Sequence, residues 1–355
     1  MPSLPLIPLI RRAPALLAAT LPLAGCNWVV MNPAGDIARQ QADLVVTSTL
    51  LMLLIIVPVI VLTLLFAWRY RQSNQAATYS PDWDHSTRLE LLIWGAPLLI
   101  IIALGAITWI STHKLDPYRP LDRIDENRPL AADVQPLVVE VVALDWKWLF
   151  LYPEQGIATV NELAAPVDRP IRFKITASTV MNSFYIPALA GQVYAMPGMQ
   201  TQLHAVINQA GVFDGFSANF SGDGFSHMRF KFHGLSNADF DQWVAQQRAS
   251  GQVLTRSVYQ QLEQPSQREP VRRYAGIEKG LYDAILNRCV DGRKMCMADM
   301  MAIDATGGQG KGSVTGVVRQ TWRSAERTVV ASLCTPDNLS GTLSPAVAAA
   351  LSVAR

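Results

Sequence analysis

The sequence predicts a two-helix transmembrane hairpin carrying an all-β exported domain with a helical C-terminal extension. Three observations carry that expectation: two long stretches without a formal charge, short β-rich runs separated by turn residues, and helix-start signals downstream of them. Charged residues, 30 Lys+Arg and 28 Asp+Glu, make up 16% of the 355 positions, below the roughly 25% usual in soluble domains. The apolar excess lies in the first 112 residues, and the rest of the chain has ordinary soluble composition, which excludes an all-helical membrane bundle. A net charge of +2 without a basic run gives no footprint for nucleic acid. Four cysteines are too few for a disulfide scaffold.

Residues 1–25 have the layout of an export signal: Arg11 and Arg12, an uncharged stretch over 13–23, then small residues. Leu23-Ala24-Gly25-Cys26 resembles the lipobox of bacterial lipoproteins, which implies that Cys26 is acylated on sulfur and becomes the mature N-terminus. An ordinary export signal with an incidental cysteine is the alternative.

Residues 44–68 and 91–112 carry no formal charge. At about 1.5 Å per residue they reach roughly 38 and 33 Å, enough for a hydrocarbon core of about 30 Å. Trp68, Trp94 and Trp109 near the ends suit the headgroup belt. Pro58 and Pro97 are tolerable where neighbouring helices satisfy the freed carbonyls. Lysine and arginine are balanced across the flanks, so the export signal sets orientation: the loop 69–90 inside, everything after 112 in the periplasm of a bacterial inner membrane.

The hairpin segment 26–115 leads into a charged, proline-containing linker, 116–136, and then β-rich runs at 137–152, 171–177, 200–207 and 228–232. Pro153, Pro170, Pro197-Gly198 and Gly211 separate them. Such spacing over 137–236 reads as a sandwich or barrel. The region 237–306 reads as helical, with candidates at 239–244 behind Asn237, 258–262 and 277–290. The tail 307–355 is rich in Gly, Ser and Thr and reads as loop.

Asp145-Trp146-Lys147-Trp148, Asn182-Ser183-Phe184-Tyr185-Ile186-Pro187 and Ser217-Ala218-Asn219-Phe220-Ser221-Gly222 come after the lipobox and the two spans in order, as Trp83-Asp84-His85-Ser86 comes before Leu89-Glu90. In that order these motifs resemble subunit II of the haem-copper terminal oxidases. The resemblance implies a cupredoxin-like barrel as the exported domain. In the cytochrome c oxidases this subunit holds a dinuclear copper centre through a histidine and a Cys-x-Glu-x-Cys-x3-His-x2-Met loop. Laid on this chain, the pattern puts Asn182 and Phe225 at the histidines, Ser217 and Ser221 at the cysteines, and Asn219 at the glutamate. Only Met228 keeps its ligand type. Hydroxyls stay protonated near neutral pH and cannot replace bridging thiolates, and phenylalanine has no donor, so no metal is expected in this chain.

That loss, with the scaffold kept, points to the cytochrome bo-type ubiquinol oxidase branch. The resemblance then implies a non-catalytic subunit beside a subunit I that carries the haems, the copper and the oxygen chemistry. Partners implied are subunit I, further membrane subunits, membrane lipid, and ubiquinol through the complex. The alternatives are a cytochrome c oxidase subunit II with an altered metal site, and a stand-alone membrane lipoprotein. Trp146 matches the family position where electrons arrive from cytochrome c, but without copper it is expected as a packed aromatic.

Glu90, at the inner end of the second span, matches the family glutamate at the mouth of a proton-uptake channel of subunit I; a carboxylate is also favoured there by the helix dipole. Cys289 and Cys296, seven apart around Asp291-Gly292, are a plausible disulfide in an oxidising compartment, leaving Cys334 unpaired. Met295, Met297, Met300 and Met301 with those cysteines offer sulfur to copper(I), though such surfaces more often serve packing. His204, His227 and His233 lack nearby cysteines or short paired spacing and are expected at the surface.

Overall fold

The computed structural model describes residues 28–78, 82–131 and 133–305. The signal, Cys26, Cys334 and the tail from 307 onward lie outside the described residues. Two helices, α1 (Asp36–Arg69) and α2 (Thr87–Lys114), are long and apolar enough to cross a membrane. Both outrun the uncharged stretches, because polar residues at either end still fit the helix. Pro58 and Pro97 lie inside them.

The first turns of α1 are embedded in the β domain rather than standing clear of it. Asp36, Ala38 and Ala42 are buried. The amides of Ala34 and Gly35 both donate to Ala188 O, at 2.9 and 3.0 Å, and the Ala38 amide donates to Leu189 O at 3.3 Å. Gly35 is required by this approach, since a Cβ there would sit 2.5 Å from Val206 O and 2.8 Å from Leu189 O.

After a small hairpin, β1 (Arg123–Asp125) and β2 (Arg128–Pro129), the exported chain forms two packed sheets. Its strands are β3 (Leu137–Leu144), β4 (Lys147–Tyr152), β5 (Ile157–Val160), β6 (Glu162–Pro166), β7 (Ile171–Ala177), β8 (Asn182–Tyr185), β9 (Val193–Ala195), β10 (Thr201–Ala205), β11 (Gly211–Ser217) and β12 (Arg229–Leu235). The six-stranded sheet runs β10-β7-β3-β4-β5-β14, where β14 (Arg272–Tyr274) comes from the C-terminal region; the five-stranded sheet runs β6-β12-β11-β8-β9. The apolar run 137–152 is thus two antiparallel strands, not one. Asp145-Trp146 make the turn, and the register closes at Leu144 against Lys147.

Every residue of β4 is buried, which needs cover on both faces. Trp148, Phe150 and Tyr152 point into the core between the sheets, with Phe173, Phe184, Phe230 and Phe232. Phe184 and Phe230 stack with ring centroids 5.5 Å apart. The alternate residues Leu149 and Leu151 belong to a second core, closed by Tyr259, Leu262, Tyr274, Leu281 and Ile285. Period-two alternation therefore sends one strand's side chains into two cores.

The C-terminal region is less helical than its sequence suggests. α3 (Asn237–Arg248) starts one residue earlier than Asn237 implies as a cap: the cap is Ser236, whose Oγ accepts from the Asp239 amide at 3.1 Å. α4 (Arg256–Leu262) is capped by Thr255. The helix expected over 277–290 shrinks to α5 (Leu281–Leu286). Gly276–Ile277 instead forms β15, paired in parallel with β13 (Val253–Leu254), and Gly280 takes a left-handed conformation before the helix starts. α6 (Met297–Ala305) closes the described chain.

Candidate functional site

The residues at the ligand positions gather at one end of the sheets because β8 and β11 are adjacent. Ser217 ends β11 opposite Phe184 of β8, and Asn182 opens β8. Ser217 Oγ lies 3.1 Å from Asn182 Oδ1 and 3.2 Å from Asn219 O, so its single proton serves one of the two while the oxygen faces the Ser183 amide at 3.5 Å. Asn182 Nδ2 donates to Val180 O at 3.2 Å, and Asn219 Nδ2 to Met181 O at 3.3 Å. The Ser217 amide donates to Met228 O at 3.2 Å, which closes the loop at its base. Met228 is buried within the inter-sheet core.

The other two positions sit farther along the loop. Phe225 lies in a short 3-10 turn and packs edge-on against Phe220, centroids 5.7 Å apart. Ser221 Oγ is buried without a hydrogen-bond partner among the described residues. Its carbonyl accepts from Trp146 Nε1 at 2.9 Å, and the indole lies over Gly222 and Gly224, where a Cβ would meet it at 3.1 and 2.4 Å. Trp146 therefore clamps the loop down.

Ser217, Asn182 and Asn219 form a hydrogen-bonded corner, while the Phe225 ring, the buried Met228 thioether and the Ser221 hydroxyl, unpartnered among the described residues, stand outside it. This donor set does not fit a dinuclear copper centre, which needs two thiolates to bridge the ions and imidazoles to complete them. His204, His227 and His233 are half-buried at the surface. His233 Nε2 lies 3.6 Å from Glu162, and His227 Nε2 lies 3.4 Å from Arg268 Nε. Among the described residues no group of three His, Cys, Asp or Glu side chains is placed to hold a metal ion.

At the other end of the hairpin, Glu90 stands in the first turn of α2, 2.7 Å from His85 Nδ1, with both side chains half or more exposed. Cys289 and Cys296 are brought together, Cα atoms 4.8 Å apart, in disulfide geometry. The thioethers do not collect: Met297 packs on Gly198, and Met301 is exposed.

Two buried charges and one partly buried carboxylate depend on partners far along the chain. Asp36 is 1% exposed and receives two hydrogen bonds from Arg123, at 2.9 and 3.0 Å. Lys147, buried at the start of β4, donates to Gln264 O at 2.8 Å and Ser266 Oγ at 2.6 Å; burial pushes its pKa down. Glu140 on β3 lies under the C-terminal region, where burial pushes its carboxyl up to about 7 despite Lys174 at 3.9 Å. Lys147 alone carries a sequence signal for its burial, as a lysine bracketed by tryptophans inside an apolar run.

A membrane hairpin fused to a two-sheet domain, with a closed loop that keeps one thioether but has no thiolate or imidazole at the ligand positions, defines a cupredoxin-like membrane subunit of oxidase type. The family model "Cytochrome C oxidase subunit II, periplasmic domain" matches residues 154–234, and "COX Aromatic Rich Motif" matches 248–293. The chain is 51% identical to cytochrome bo(3) ubiquinol oxidase subunit 2 of Pseudomonas putida, over 75% of this chain and 82% of that one. It is 48% identical to ubiquinol oxidase subunit 2 of Acetobacter aceti, over 79% and 88%. Among solved structures, the periplasmic domain of subunit II of cytochrome oxidase of Bradyrhizobium japonicum aligns at 22% identity, covering 33% of this chain and 94% of that one, with a TM-score of 0.31. The chain belongs to the ubiquinol oxidase subunit 2 family.

Proposed function

We propose that this chain is the non-catalytic subunit II of a proton-pumping ubiquinol oxidase, in which quinol oxidation drives reduction of oxygen to water in subunit I. The observation that carries this reading is the loop 217–228, closed by Ser217, Asn182 and Trp146 with no thiolate or imidazole at the ligand positions. A subunit that relays no electrons needs the scaffold but not the metal. The two helices hold the chain in the membrane, and the β domain stands on the periplasmic side over subunit I, which carries the haems and copper. The purified complex should oxidise ubiquinol and not reduced cytochrome c. Turnover with cytochrome c, or near-infrared absorbance from copper in this chain, would overturn the reading.

Glu90 is assigned to proton uptake: its carboxylate lies at the inner end of α2 within reach of His85. Cys26 is assigned as the acylated mature N-terminus, on the strength of Leu23-Ala24-Gly25-Cys26 behind the signal stretch. Cys289 and Cys296 are assigned as a disulfide, supported by their placement and an exported location. Mass spectrometry of the purified subunit tests both: an unmodified Cys26, or thiols at 289 and 296 that alkylate without reduction, would reject the respective assignment.

A further inference from the structure

The outer end of the hairpin holds a cavity of about 100 Å³, lined by the first turns of α1, the end of α2, the linker after it and the edge of the β domain. Three acids and three cations line it, but four of the six are committed to each other. Asp36 is held by Arg123, and Asp122 by Arg119 at 2.8 Å. That leaves Lys114, which has no ion-pair partner, and Asp116, whose carboxylate accepts only the Tyr118 amide at 2.9 Å, both among the described residues. His204 adds no charge, because burial and Arg172 push its pKa down. Leu115, Leu121 and Leu203 supply an apolar wall.

The position of the cavity fixes what can reach it. Lys114 is the last residue of α2, and the exposed Trp109 lies little more than one turn before it, at the depth where indoles sit among headgroups. One free cation, one free anion and an apolar wall at the headgroup boundary match an amphipathic zwitterion. An anion alone would leave Asp116 facing it.

We propose that this cavity binds the headgroup of a phospholipid carrying a primary ammonium, with the phosphate against Lys114, the ammonium against Asp116 and the glycerol end along the leucines. The inference rests on the reading of α1 and α2 as membrane spans and goes beyond the assigned function. A bound lipid would fill the angle between the hairpin and the domain, where the Asp36–Arg123 pair already joins the two.

The test uses the intact complex in detergent, with a photoactivatable phosphatidylethanolamine and peptide mapping of the adducts. Crosslinks are expected within residues 114–123, and Lys114→Glu should cut them roughly tenfold, since each basic residue at a membrane surface is worth about tenfold or less and the reversal adds repulsion. Lys114→Arg should restore them. Asp116→Asn should erase the preference over phosphatidylglycerol, which has the phosphate without the ammonium. Equal labelling in Lys114→Glu and wild type would overturn the proposal, as would equal labelling by the two lipids in wild type. Displacement of the probe by inorganic phosphate at matched concentration would show a free-anion site instead and overturn the lipid assignment. Release of the chain by alkaline carbonate would overturn the span reading itself, whereas a retained chain without adducts defeats only this site.

Discussion

Arg123 grips Asp36 through both Nε and Nη2, at 2.9 and 3.0 Å, joining the linker after the second span to the first turn of the first. The Asp36 side chain is 1% exposed and that of Arg123 25%. Gln40 Nε2 adds a third donor at 2.7 Å. A paired, hydrogen-bonded charge is tolerable in such a place, but an orphaned one is not.

Arg123→Ala is therefore expected to destabilise the junction by about 3 kcal/mol, because it leaves the buried carboxylate with Gln40 alone. Asp36→Asn combined with Arg123→Ala should recover part of that loss, since the orphaned charge is gone. Thermal unfolding of the purified subunit in detergent checks both; an Arg123→Ala protein as stable as wild type would mean the pair contributes nothing.

Glu140 makes stability depend on pH. Its folded pKa of about 7 lies above the ordinary value of 4.5, so the folded state holds the proton more tightly and stability falls as pH rises through that window. Full ionisation costs up to about 3 kcal/mol, less whatever solvent screening relieves at a side chain 15% exposed. Glu140→Gln should then raise the unfolding temperature at about pH 8 and change little at about pH 3.5, below the window. An equal shift at both values would assign the effect to packing instead.

The loop should accept metal once its donors return. Asn182→His, Ser217→Cys, Asn219→Glu, Ser221→Cys and Phe225→His, combined in the full chain, are expected to give stoichiometric coloured copper, with Met228 already in place. The wild-type chain should take up none under the same conditions. Serine and cysteine are close in shape, and the Ser217 amide bond to Met228 O holds the loop base without any metal. Failure of the quintuple variant would mean that Trp146, pressed on Gly222 and Gly224, has fixed the loop in a shape copper cannot use.

Glu90→Ala should slow quinol oxidation while haem content and subunit stoichiometry stay near wild type. A drop of roughly tenfold corresponds to about 1.4 kcal/mol of barrier, a modest demand for a carboxylate that gathers protons. Steady-state activity across pH identical to wild type would remove Glu90 from proton uptake, and loss of the complex would assign it a structural role.

Much of the architecture was legible because its signals are local. Uncharged stretches of membrane length, turn residues between β runs, and the Ser/Asn/Phe pattern over 182–225 each depend on neighbours in sequence, so composition and spacing determine them. What only the tertiary structure decided is where local preference loses to packing. Residues 277–290 have helical periodicity, yet Gly276–Ile277 pairs with β13 and only Leu281–Leu286 coils, because covering Leu149 and Leu151 demands it. Asp36 and Glu140 read as ordinary charges in sequence, and the tryptophans beside Lys147 hint at its burial without naming what satisfies it. Their partners at Arg123, Lys174 and Ser266 stand far along the chain, and the energy of a charge depends on what surrounds it in space, which no window of sequence contains.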